Sequence, residues 1–491
     1  MRRIVVVGAG AAGIPAALTA ARSGAEVTLV EKLDRPGGVL WWSGGLMSAA
    51  DTRLQAQAGI SDSPSAHIAD VQRIGRGRAD IGVLSALAEN AAASVDWLQD
   101  LGVPFAPEPI FAGHELYSVA RSYAVEAPEE DRPLRGKVLA ERMVAELGGE
   151  VASNGRFRLL TEHRVTDLVC DVGGRVVGVT AEGPGSRTQL DADAVILAAG
   201  GYAANQELLR RFHSRFDKLI TQSSEHATGD GVLLGEQAGA VVVNSDICLP
   251  GPGSLEDPDR PGFRILGGGL PIRRPPGQAG DIWVNRHGER FMAEDDPNPA
   301  HRERAIVDQP DAVMFVVFDE AMRVGGPEDV RSWTMWRLGD PPDLRFVVSR
   351  DSTEELAAAI GVPADALAAT VRTYNAAVAF GDDAWGRTQM PAPIECPPFH
   401  AVPTRATVIT TAAGLRVDDR FRALNRLGSV IPGLYVAGEL IGSGQIQGDG
   451  NSSGMMITSA VSSGRLAAEH ALAHEGRCDT HEHVSQTHEQ R

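Results

Sequence analysis

The first apolar run is short and unbroken: "RRIVVVGAG" carries Ile4 to Val7 straight into a glycine turn. That pattern predicts a buried strand, and "AAGIPAALTAARSG" continues it as a small-residue helix stopped by Gly24. "AEVTLVEK" follows as a second strand ending on an acid, so the chain opens on one βαβ unit. Residues 60–150 read as mostly helical, with "VLSALAENAAASVDWLQDLG" and "GKVLAERMVAELGG" amphipathic on either side of a proline-rich loop near 104–133. "FRLLTEHRVTDLVCD", "GRVVGVTAE" and "ADAVILAAGG" then read as strands, the last fully buried.

From about Asn244 to Pro275 the composition shifts to proline and glycine. "DIWVNRHGERF", a strand "AVMFVVFDE" and helices at "STEELAAAIG" and "ADALAATVRTYNAAV" come next, the pattern of an inserted α+β domain. Strands resume at "RATVITT", "GLRVDD" and "GLYVAGE", before a final helix from about Ser452 to His474. The expected organisation is a discontinuous domain of residues 1–243 plus 388–474, an insert at 244–387, and a disordered tail at 475–491. No internal repeat is found.

At 491 residues the chain can bury two or three cores, and 43% hydrophobic residues with 55 Gly and 29 Pro describe a turn-rich globular protein. A formal charge of −18 argues against nucleic acid or an anionic membrane as partner, since both call for a basic face. No apolar run approaches the roughly 20 residues of a membrane span, and "MRR" leads directly into the first strand, so the expectation is a cytoplasmic protein. Cys170, Cys248, Cys396 and Cys478 form no CxxC pair, which leaves redox chemistry to a bound organic group. His474, His481, His483 and His488 beside Cys478 have a metal-like composition, but in so polar a tail they read as part of a disordered end, and no metal is expected.

Gly8, Gly10 and Gly13, with Ala11 and Ala12 between them, satisfy GxGxxG after a strand and at the opening of a helix. The first glycine allows the tight turn, the second lets a pyrophosphate approach the backbone, and the third lets helix and strand pack closely. The phosphates then sit on the helix N-terminus, whose free N–H groups and dipole favour negative charge. Glu31, eighteen positions after Gly13, is placed to accept hydrogen bonds from a ribose, and Lys32 follows it. Two further glycine pairs, Gly37–Gly38 and Gly44–Gly45, flank Val39, Leu40 and Ser43, where the backbone must run close to a long ligand. This suggests FAD rather than NAD.

The order GxGxxG, "EK", "GG…SGG", "ILAAGGY", "TGDG", "VNRHGERF" and "IPGLYVAGE" resembles the FAD-dependent fumarate reductase and 3-ketosteroid dehydrogenase superfamily, over residues 3 to about 472. The resemblance implies an α/β fold: a Rossmann-like FAD-binding domain of glutathione-reductase type with an inserted α+β capping domain. It places Ala199 and Gly200 beside the FAD and Val165 at the adenine. Asp230, Gly438 and Glu439 fall in motifs that line the cofactor, against a plain reading of the two acids as turn-forming or capping groups. Many relatives attach FAD through a His in the segment matching 39–43; here it is "VLWWS", which implies non-covalent FAD. Trp41 and Trp42 are open to two readings, as walls of the isoalloxazine or as core aromatics. The glycines of "GDGNSSGMM", Gly448, Gly450 and Gly454, would keep side chains clear of the ring, with Met456 and Ile457 offering backbone to it.

Dicarboxylate reductases of the superfamily clamp substrate with His and Arg. Here "VNSDICLPG" lacks the first His and Thr, a second His position falls near Thr410, and the Arg position falls at or near Asn451. The resemblance matches the cap arginine that donates a proton to Arg302 or Arg304, unless both are surface groups, and offers Glu294 as a brace of the cap through a salt bridge. Steroid dehydrogenases use tyrosines. Tyr117 and Tyr123, with His114 and Arg121, offer a cation-tuned proton acceptor or else an irregular surface loop with two half-buried rings. The expected activity is dehydrogenation or reduction of a C–C bond α,β to a carbonyl in a neutral, steroid-like or cyclic ketone. The alternatives are a fumarate- or enoate-type reductase acting on a carboxylate and, remotely, a non-catalytic flavoprotein. The expected partners are a small-molecule substrate and an electron donor or acceptor that the sequence does not identify.

Overall fold

The computed structural model describes residues 1–473 apart from 114, 214–217, 248, 265–279 and 327–346. His114, Cys248, the tail and its histidines therefore lie outside the described residues. Six strands form the main sheet: Arg3–Val7 (β1), Glu26–Val30 (β2), Phe157–Leu160 (β3), Ala194–Leu197 (β4), Arg422–Leu424 (β5) and Val430–Val436 (β6). Their order is β5-β6-β4-β1-β2-β3. The β1 strand runs parallel to both β2 and β4, with Val5 opposite Thr28 on one side and Val195 on the other. Such a strand is covered on both faces, which is why Ile4 to Val7 are all apolar and all buried.

Helix α1, Gly13–Arg22, packs against the C-terminal helix Met455–Ala473. The crossing is close: a Cβ on Gly464 would overlap the Ala12 carbonyl. A separate antiparallel meander of Arg164–Cys170, Val176–Gly183 and Ser186–Asp191 stands off the main sheet.

A second sheet runs Ile220–Thr221, Phe399–Val408, Val313–Asp319, Ile282–Val284, and Pro250–Ser254 and Val348–Arg350 also pair with Phe399–Val408. Strand Val313–Asp319 explains how the insert is held. Val313, Phe315 and Val317 join Ile282, Val284 and the helices Thr353–Ile360 and Ala364–Phe380 in one core, while Met314, Val316 and Phe318 face the main core. The period of two thus puts apolar residues on both faces, each worth about 1.5–3 kcal/mol when buried. Phe399–Val408 and Ile220–Thr221 lie outside 244–387 yet pair into the same sheet as the insert's strands.

Glu294 braces the cap. Its carboxylate meets Arg290 at 2.6 Å and Arg387 at 3.1 Å and accepts from the Trp283 amide at 3.0 Å, all buried. No helix among the described residues is long and apolar enough to cross a membrane.

Candidate active site

A cavity of about 760 Å³ runs between the main sheet and the cap. The first glycine loop forms one end. Gly8 has φ +98°, and a Cβ there would come within 2.6 Å of the Ala198 carbonyl oxygen; a Cβ on Gly13 would overlap the Gly8 carbonyl. Both glycines are thus demanded by packing of helix on strand. Gly10 differs, since its Cβ would meet nothing nearer than Gly38 Cα at 4.0 Å. Among the described residues no atom crowds the place of a Cβ at position 10, and Gly10 itself lines the cavity. Gly13 and Gly37 are not on the wall. Gly37, at φ +113°, leaves room for the Trp41 indole.

Glu31 lines the same end, its two carboxylate oxygens accepting from the Ala9 amide at 2.8 Å and the Leu33 amide at 2.9 Å. Lys32 and Asp230 face each other at 3.0 Å, and Arg164 reaches Asp230 at 2.6 Å. Burial pushes the Asp230 carboxyl upward, but the two cations outweigh it and hold it below the usual range. Val165 stands beside this charged rim.

Further along the wall come Gly38, Val39, Leu40, Ser43, Gly44 and Gly45, opposite Ala199 and Gly200. Glu439 accepts from the Thr411 amide at 2.9 Å and its hydroxyl at 3.2 Å; burial raises its carboxyl pKa despite those bonds. Gly438, Gly454, Met456 and Ile457 also line the cavity. The tryptophans separate. Trp41 donates to the Pro36 carbonyl at 2.8 Å under Arg35 and stays out of the cavity, whereas Trp42 lines it and is 38% exposed.

Asn451 and Thr410 are both on the wall. The tyrosines are not. Tyr117 is buried, donating from its hydroxyl to the Ser453 carbonyl at 2.9 Å and to Ser48 at 3.3 Å. Tyr123 is buried on the strand Ser122–Ala124, its hydroxyl 2.7 Å from Thr52 and 3.0 Å from the Ala49 carbonyl. Arg121 is fully buried between Asp62 at 2.9 Å and Asp70 at 3.2 Å, so its charge is already met. Burial raises both phenols above their ordinary pKa, against the downward pull of Arg121.

The cap arginines Arg302 and Arg304 lie off the wall as well. Helix α2, Pro299–Val307, starts where Asn298 caps the Ala300 amide at 2.9 Å and proline takes the first position. Pro299 lines the cavity. Arg304, five residues on, is turned about 140° from it and is engaged with Asp449 at 2.9 Å, while Arg302 is buried off the wall. Sequence reasoning missed Gln222, Arg264 and Ile409, which line the cavity from the cap's sheet, and Ser452 and Ser453 beside Asn451. Arg264 is placed by its amide donating to the Thr221 carbonyl at 3.1 Å, a pairing between distant segments that no local pattern announces.

A family model described as an FAD binding domain matches residues 3–452. A probable fumarate reductase of Shewanella frigidimarina is 30% identical over 474 residues, 96% of this chain and 75% of that protein. The solved open conformation of a flavocytochrome c3 fumarate reductase superposes with a TM-score of 0.77 at 29% identity, over 96% of this chain and 78% of that one. The 3-ketosteroid-Δ4-(5α)-dehydrogenase of Rhodococcus jostii RHA1, solved with 4-androstene-3,17-dione, gives 0.70 at 26% identity, over 96% and 97%. The cradle at Gly10, the acid at Glu31 and this match along most of the chain agree: the protein belongs to the FAD-binding-domain family and is an FAD-dependent oxidoreductase acting on carbon–carbon bonds.

Proposed function

We propose that the protein adds or removes two hydrogens across a C–C bond α,β to the carbonyl of a neutral, cyclic ketone. The observation that carries this reading is the uncharged pair Thr410 and Asn451 on the cavity wall. Two carboxylates buried there would meet no cation at these two positions, and Arg264 elsewhere on the wall could pair with only one of them. Asn451 and Thr410 can instead donate hydrogen bonds to one carbonyl oxygen. That polarises the adjacent C–C bond for hydride transfer.

Bound FAD supplies the two-electron exchange. The chain's part is to hold and shield. Met456 and Ile457 open the C-terminal helix at the cavity, where its N–H groups and dipole favour negative charge. The cap covers the site and keeps water from the transferred hydride. The segment Val39–Ser43 offers no histidine or cysteine, in keeping with FAD held without a covalent bond.

A second reading, reduction of a single-carboxylate enoate, is favoured by Arg264 on the same wall. Anaerobic mixing tests both. Cyclic saturated ketones should bleach the oxidised flavin, or the matching enones should restore the colour of dithionite-reduced enzyme. Reaction with enoates alone would favour the second reading, and reaction with dicarboxylates alone would defeat both.

A further inference from the structure

Helix α2 reaches the cavity with one end and the second glycine loop with the other. Pro299 is on the cavity wall, and Arg304 donates from Nη2 to the Asp449 carbonyl at 2.8 Å and to its carboxylate at 2.9 Å. Asp449 itself is anchored from the opposite side. Its amide donates to the Gly75 carbonyl at 3.0 Å, and its carbonyl also accepts from Arg76. Gly448 and Gly450 flank it, and a Cβ on either would run into the backbone of residues 74–79. The root of the loop is thus fixed to the FAD-binding domain by backbone packing, whereas α2 belongs to the cap.

We infer that Arg304 and Asp449 form the latch by which the cap closes over the cavity. With the pair made, α2 is tied to the loop that carries Asn451, and Pro299 and Asn451 share one wall; with it broken, the cap helix moves off a loop that stays in place. The two side chains are 27% and 24% exposed, so the pair is wet and reversible, as a closure repeated every turnover requires. Arg304 and Asp449 are positioning residues, since neither lines the cavity.

The test needs no substrate and so stands apart from the reading above. Iodide quenching of the bound flavin's fluorescence would be measured in wild type, Asp449→Asn, Arg304→Gln and the double variant, each checked for unchanged Tm and flavin content. The latch predicts a rise in the quenching constant of about twofold or more in Arg304→Gln, a smaller rise in Asp449→Asn, where Arg304 keeps its bond to the residue-449 carbonyl, and no rise beyond the Arg304→Gln level in the double. Arg304→Lys, which keeps the charge, should stay near wild type. Unchanged quenching in both single variants, or additive effects in the double, would overturn the latch. With any ketone found to react, the single variants should raise KM and keep kcat within about twofold. If no ketone reacts, the proposed substrate class falls while the quenching result still decides the latch.

Discussion

The two glycine loops that meet at the cavity are held in place by different means. The loop at 8–13 is fixed by its own strand and helix and by the neighbouring strand: Gly8 packs on Ala198, and Gly13 packs on Gly8. The loop at 448–454 is fixed by parts of the chain hundreds of residues away. Gly448 and Gly450 press on residues 74–79, Gly454 presses on Met47 and Ser48, Tyr117 holds the Ser453 carbonyl, and Arg304 holds Asp449. One loop is held by contacts local to its own βαβ unit and the neighbouring strand. The other is a junction where several elements set the same few residues, and it is the one that carries Asn451.

This contrast breaks most sharply at the first loop. Gly13→Val should cost about 3 kcal/mol or more and abolish flavin binding, because the new side chain would have to occupy the Gly8 carbonyl. Gly10→Ala, meeting no protein atom, should leave the apoprotein's Tm unchanged and weaken FAD by about tenfold or more, or about 1.4 kcal/mol. Equal Tm losses in the two variants would erase the distinction between packing and ligand glycines.

The second loop's support should show in pH dependence. His67 is fully buried edge-on to the Tyr117 ring at 5.5 Å, and neither ring nitrogen has a hydrogen-bond partner among the described residues. Burial first and Arg121 second push its pKa down from 6.5 to about 3. The unfolded chain therefore binds this proton more readily, so stability is full above about pH 6.5 and falls as the pH drops toward 3, by at most about 1.4 kcal/mol per unit from this group. Thermal melts from pH 7 to pH 4 should show a shallower acid loss in His67→Phe than in wild type, and an unchanged slope would remove His67 from the account.

A smaller effect is expected at Tyr117. Tyr117→Phe removes the bond to Ser453 and should cost about 1 kcal/mol in Tm-derived stability, with turnover retained within a few-fold. A loss of about 10² or more in kcat, the range for a group that moves the proton, would restore the catalytic reading of this tyrosine.

The first βαβ unit was readable from the chain because its signals are contiguous: a four-residue apolar run, three glycines and an acid. The cap's boundary was not. Phe399–Val408 reads as a strand, but nothing in "FHAVPTRATV" says which sheet it joins, and the answer lies in its pairing with Val313–Asp319. The roles of Tyr117 and Arg121 were hidden for a similar reason. Asp62, fifty-nine positions from Arg121, neutralises it only in the fold, and burial then holds the phenols in the protonated form, which cannot take up a proton. The α2 arginines were misplaced by helix phase: starting the helix at Pro299 turns Arg304 toward Asp449. At Thr410 and Asn451 a departure from the superfamily's pattern was visible in the sequence, and both residues lie on the cavity wall.

The central claim is tested most directly by one competition. Enzyme reduced anaerobically with dithionite is mixed, in parallel, with a cyclic enone and with fumarate at equal concentration, and flavin reoxidation is followed by absorbance. The account predicts recovery with the enone at least about 100-fold faster, the scale of some 2.7 kcal/mol in transition-state binding. Faster recovery with fumarate would contradict it.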